Sequence, residues 1–102
     1  MTERSRFNMQ DKVAIITGSA GGIGKAIATL FASNGARVVV SDVQQEAGVK
    51  TAQDLGGVFI PCDVSDIDQV NHLIDEAVSR FGRLDVMAVS YTHLTLPTIL
   101  RV

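Results

Sequence analysis

Residues Lys12–Asn34 read KVAIITGSAGGIGKAIATLFASN. Val13, Ala14, Ile15 and Ile16 form an apolar run of the length of one buried strand. A run apolar on both faces suits a parallel sheet covered by helices on each side. Gly18-Ser19-Ala20-Gly21-Gly22-Ile23-Gly24 follows, with four glycines in seven residues. Beyond it, Ile23, Ile27, Leu30 and Phe31 recur at helical spacing, and Asn34-Gly35 is a helix stop. The glycines therefore lie where a buried strand turns into a helix. Without a Cβ, glycine lets a ligand or another segment approach the backbone closely. The first turn of a helix offers unpaired N–H groups at the positive end of its dipole. Together these make a site for a phosphate or pyrophosphate. The alternative is a glycine-rich tight turn that binds nothing.

Working outward, Ala36–Ser41 is a second strand, and Asp42 stands at its end, 18 residues after Gly24. An acid at about that distance in a βαβ unit reaches the adenosine ribose. A carboxylate accepts hydrogen bonds from both ribose hydroxyls and repels a 2′-phosphate, so the spacing predicts NAD in preference to NADP. The alternative role for Asp42 is a helix N-cap. Gln44–Leu55 is a weaker helix, with a thin stripe of Ala47, Ala52 and Leu55 and an interior Gly48. Val58-Phe59-Ile60 is a third strand, closed by Pro61. Ser65 fits a capping box with Asp68 at its fourth position. Ile67, Val70, Ile74, Ala77, Val78 and Phe81 then make the cleanest amphipathic helix, with His72 on its outer face. Gly82 stops it, and Leu84-Asp85-Val86-Met87 begins a fourth strand. The expected architecture is α/β: a Rossmann-type, doubly wound parallel sheet in the order 3-2-1-4, truncated after the fourth strand. Ligands bind outside the carboxyl ends of the strands where that order reverses, and the glycine turn lies there.

The pattern Thr-Gly-x-x-x-Gly-x-Gly, filled by Thr17, Gly18, Gly22 and Gly24, resembles the cofactor motif of the short-chain dehydrogenase/reductase family. The resemblance runs from about Asp11 to Met87. It implies a cofactor-binding set of Gly18, Ser19, Gly22, Ile23, Gly24, Asp42, Asp63 and Val64. Asp63 and its neighbour's backbone would contact adenine; the alternative is that Asp63 and Ser65 are only turn and cap residues. Neither Ser19 nor Ala20 supplies the basic side chain that NADP-preferring relatives often place in the turn. The activity implied is hydride transfer between a nicotinamide dinucleotide and a small-molecule secondary alcohol or ketone, in a homo-oligomeric parent. A different class, a dinucleotide-binding regulatory or structural protein without turnover, fits the same half of the fold.

Past Met87 the pattern breaks. Relatives usually continue the fourth strand into Asn-Asn-Ala-Gly, whereas this chain continues AVSYTHLTLPTILRV. The family's active site is a serine, plus a tyrosine followed four residues later by lysine. Tyr91 is followed at that distance by Thr95, and no lysine occurs after Lys50. That lysine matters because its charge lowers the tyrosine pKa and fits the phenol for acid/base work. Ser90, Tyr91 and His93 therefore receive no catalytic role, and the fragment alone is expected to be inactive. Val89–Thr98 is similar to a translation of the transposase mosaic-end adaptor used in sequencing libraries, in the frame gtc tct tat aca cat ctg acg ctg ccg acg. The two adaptor bases before that frame, ct, complete an alanine codon at Ala88. The expected division is a flexible tail over 1–10, a partial dinucleotide-binding domain over 11–87 and a non-native tail over 88–102. In the alternative, Leu94, Leu96, Ile99 and Val102 belong to a genuine terminal strand.

Composition sets outer bounds. A chain of 102 residues, 46% hydrophobic and 20% charged, is at most one small globular domain. A net charge of −2 argues against a nucleic-acid or acidic-membrane partner, which wants a basic face. No apolar run approaches the length of a membrane span. Met1–Gln10 has no apolar h-region, and Cys62 is the single cysteine. A cytoplasmic setting fits, with neither a disulfide nor a metal site.

Overall fold

The computed structural model describes residues 8–89 and the course of strand 98–101. The elements are β1 (Val13–Thr17), α1 (Gly22–Ser33), β2 (Arg37–Ser41), α2 (Gln45–Leu55), β3 (Val58–Phe59), α3 (Ile67–Phe81), β4 (Val86–Val89) and β5 (Thr98–Arg101). The sheet order is β3-β2-β1-β4-β5. β1 lies parallel between β2 and β4, with Ile15 opposite Val39 on one side and Met87 on the other. The order 3-2-1-4 and its parallel pairing follow the sequence expectation. The outer edge does not: β4 is paired antiparallel with β5, Ala88 opposite Ile99, so it is not an open edge. Unpaired N–H and C=O groups on a sheet edge take up any extended segment within reach. Ser90, Tyr91 and His93 lie outside the described residues, as do Leu94, Leu96 and Val102.

The sheet divides two cores. Side chains alternate along a strand, so Ala14 and Ile16 of β1 join Val38, Val40, Ala28, Phe31 and Ala52 beneath α1 and α2. Ile15 joins Val39, Ile60, Leu73, Ala77 and Met87 beneath α3. β1 is buried throughout, as a central strand covered on both faces must be.

The helices sit on this sheet differently from the large-residue stripes in the sequence. α1 buries Gly24, Ala28 and Phe31, while Ile23 and Leu30 are 52% and 51% exposed. Small residues at i and i+4 bring the helix axis close to the strands and move the larger side chains to its flanks. α2 buries Gly48, Thr51 and Ala52, and Ala47 faces outward. α3 buries Leu73 and Ala77, with Val70, Ile74 and Phe81 half-buried and Ile67 68% exposed. The α3 cap lies one residue beyond the expected Ser65. The Asp66 carboxylate accepts from the N–H groups of Asp68 and Gln69, and the Gln69 amide returns a bond to Asp66. At the other end of the chain, packing starts inside the segment read as a tail. Met9 is half-buried against the α1 side of the core, and its N–H donates to Asn34 O at 2.8 Å. Residues 1–7 lie outside the described residues.

Candidate functional site

Four glycines shape the turn between β1 and α1 in two ways. Gly18 and Gly22 have φ of 64° and 61°, a region an L side chain occupies only with strain. Gly24 is closed by packing: a Cβ there would lie 2.1 Å from Gly18 O and 2.7 Å from its carbonyl carbon. By contrast, a Cβ on Gly21 or Gly22 would meet nothing within 4 Å, so this side of the backbone faces open space. Gly21 is the α1 N-cap, with no side-chain cap bond and no acidic residue in the first turn. The N–H groups of Gly22, Ile23 and Gly24 meet no acceptor among the described residues. Open backbone beside an uncapped, positively polarised helix start is what a diphosphate requires.

The rest of the turn is tied down from below. Ser19 is fully buried; its hydroxyl donates to Ile16 O at 2.6 Å, and its N–H donates to Ser41 O at 3.2 Å. The Ser41 N–H in turn donates to the Ser19 hydroxyl. Ser19 therefore builds the turn by joining β1 to β2, and its polar groups face inward rather than to the open side. Asp42, at the end of β2, holds the next residue. Its Oδ2 accepts from Ala20 N–H and its Oδ1 from Gln44 N–H, each at 3.0 Å. Asp42 is thus not the α2 N-cap, which is Gln44. Thr51 of α2 donates its hydroxyl to Ala20 O at 3.1 Å.

Asp63 follows β3 on the same edge of the sheet, because Cys62 N–H donates to Asp42 O and carries the chain past the end of β2. Its carboxylate Oδ1 accepts from both the N–H and the hydroxyl of Ser65, at 3.0 and 2.7 Å. Those bonds hold its pKa below the usual carboxylate range. Asp63 is exposed and Val64 half-buried. Cys62 is buried, and burial, then the charges of Asp63 and Asp66, push its thiol up. A thiol shifted this way is a poor nucleophile.

The structure therefore gathers Gly18, Ser19, Gly22, Ile23, Gly24, Asp42, Asp63 and Val64 at the carboxyl ends of β1, β2 and β3. His72 is on the far surface of α3, paired with Glu76 at 3.3 Å. No group of three or more His, Cys, Asp or Glu side chains able to hold a metal occurs among the described residues. The sequence reading missed the parts played by Ala20 and Thr51. The one signal for Thr51 was a polar residue on the buried face of α2, beside Ala52 and one turn from Gly48.

The family model described as short chain dehydrogenase matches residues 12–94. Tropinone reductase-like 2 of Erythroxylum coca is 51% identical over 81 residues, which are 78% of this chain and 30% of the relative. Borneol dehydrogenase, mitochondrial, of Lavandula x intermedia is 44% identical over 79 residues, again 78% of this chain and 30% of the relative. Among solved structures, a short chain dehydrogenase/reductase from Burkholderia phymatum in complex with NAD superposes with a TM-score of 0.76 at 35% identity. That match covers 79% of this chain and 31% of the other. A hydroxysteroid dehydrogenase from Escherichia coli gives 0.72 at 38% identity, covering 78% and 36%. The chain thus spans about 30% of the length of these curated relatives. With the glycine turn, the ribose-distance acid and the 3-2-1-4 sheet in place, the chain belongs to the short chain dehydrogenase family.

Proposed function

We propose that this chain is the cofactor-binding portion of an NAD-dependent oxidoreductase. In its parent, a hydride moves between the nicotinamide and the carbon of a secondary alcohol or ketone. The dinucleotide, when bound, supplies the hydride chemistry; the protein supplies position. The amides of Gly22, Ile23 and Gly24 hold the pyrophosphate, Asp42 the ribose hydroxyls, and Asp63 with Val64 the adenine. Asp42 carries this reading. Two N–H donors fix its carboxylate beside the glycine turn, and each oxygen keeps a lone pair for a ribose hydroxyl. The same charge repels a 2′-phosphate, which favours NAD over NADP. The NAD complex of the Burkholderia phymatum relative supports the cofactor class.

The domain occupies about 11–87, in a cytoplasmic and homo-oligomeric parent, and residues from 88 onward are not part of the native gene. An uninterrupted genomic reading frame encoding Ala88–Val102 as printed would reject that last assignment. Titration calorimetry of this chain and of its folded parent with NADH and NADPH tests the binding. Heat with NADH and a weaker response to NADPH is expected; a parent that gives heat with neither overturns the proposal.

A further inference from the structure

Ala20 is held on two consecutive peptide planes. The 19–20 peptide donates its N–H to Asp42 Oδ2 at 3.0 Å, and the 20–21 peptide accepts from Thr51 Oγ1 at 3.1 Å. Each peptide is rigid, so these bonds fix both backbone torsions of Ala20, immediately before Gly21 and Gly22. Those glycines have no side chains to hold them. A Cβ at either would meet open space. Thr51 is 2% exposed and lies within α2, 31 residues along the chain from Ala20. A helical threonine commonly bonds back to a carbonyl of its own preceding turn. Here the hydroxyl proton goes across to the turn instead.

We infer that Thr51 is a positioning residue for the dinucleotide turn. Through the Ala20 carbonyl it sets the direction in which the chain enters α1, and so the aim of the amides of Gly22, Ile23 and Gly24. It does not touch the dinucleotide. The inference rests on the dinucleotide reading above. Removing the hydroxyl leaves Ala20 free to rotate toward Gly21 and lowers the fraction of molecules whose turn is ready to bind, and apparent affinity falls by that fraction.

The test uses the 102-residue chain with Thr51→Val and Thr51→Ser, titrated with NADH by fluorescence. Thr51→Val should bind about tenfold more weakly, the change that one hydrogen bond supports, and Thr51→Ser should restore binding. A Thr51→Val chain that melts earlier but binds NADH as the unsubstituted chain does would make Thr51 merely structural and overturn the inference. If the unsubstituted chain binds neither NADH nor NADPH, the functional reading fails for this chain, and NMR relaxation of the backbone amides still decides the role of Thr51. Lower order parameters at Gly21–Gly24 in Thr51→Val, with those of β1 unchanged, support it. Equal order parameters at Gly21–Gly24 reject it.

Discussion

Asp42 has a backbone donor on each side, from Ala20 and from Gln44. Asparagine has one acceptor oxygen and one NH₂ group, so Asp42→Asn must turn its NH₂ toward one of those N–H groups. The expected outcome is a stability loss of about 1–2 kcal/mol, seen by urea unfolding, and a loss of NADH affinity in calorimetry. NADPH, relieved of the carboxylate's repulsion, should lose less than NADH, so the preference for NAD narrows. The glycines divide just as sharply. Gly24→Ala drives a Cβ into Gly18 O and should cost about 1–3 kcal/mol and the binding with it. Gly21 has an extended φ of −162° and empty space around it, so Gly21→Ala should lose only the difference between glycine and alanine as an N-cap, less than about 1 kcal/mol. Equal losses from the two substitutions would refute this account of the turn. Much of this was legible in the sequence: glycine positions and the 18-residue spacing to Asp42 are one-dimensional facts. The inward direction of the Ser19 hydroxyl was not. It depends on β2 lying beside β1, which brings Ser41 to a residue 22 positions away.

Strand identity and helix extent were readable because apolar runs and glycine stops are local, while helix faces were not. Ile23 and Leu30 look like core residues and are about half exposed. The helix turns Gly24 and Ala28 to the sheet because only small residues permit so close an approach. Gly48 looks like a weakness in α2. Its Cβ would lie 2.1 Å from the Phe59 ring, so the missing side chain is the seat for that ring. Capping shows a similar limit. Asp63, Ser65 and Asp66 all offer acceptors ahead of α3, and the path of the chain out of β3 decides among them. Asp66→Ala should cost about 1 kcal/mol, the usual value of a lost N-cap. Ser65→Ala, outside the cap, should stay within about 0.5 kcal/mol. Thermal unfolding of the two variants separates them, and the reverse order would return the cap to Ser65.

For the molecule as a whole, local pattern and the handedness of crossovers were enough to order four strands, and β5 (Thr98–Arg101) falls in the stretch that the alternative reading gave as a terminal strand. An exposed parallel edge accepts an extended neighbour by main-chain bonding alone, so the β4–β5 pairing is compatible with a tail of foreign origin. The opposite end of β4 is held by side chains. Asp85 Oδ2 accepts from Val13 N–H at 2.9 Å, Asp85 N–H donates to Val13 O at 2.9 Å, and Arg83 grips the carboxylate through two nitrogens at 2.9 and 2.7 Å. One carboxylate thus ties the start of the central strand to the chain just before β4. The Arg83 bonds first, then the Val13 N–H, hold its pKa below the usual carboxylate range. The unfolded chain binds a proton at about pH 4, whereas the folded chain resists it to lower pH. Between those two values the unfolded state carries more protons, so stability rises with pH. The contribution is complete above the unfolded pKa and disappears as pH falls through the folded one. Asp63, shifted in the same direction by Ser65, adds to the trend. Urea midpoints should therefore be level near neutrality and fall on acidification below about pH 4. Asp85→Asn keeps an oxygen for Val13 but offers Arg83 no charge. It should unfold at lower urea near neutrality and show a shallower acid limb, with the residual slope left by Asp63. An acid limb as steep in Asp85→Asn as in the unsubstituted chain would show that Asp85 does not carry the pH dependence.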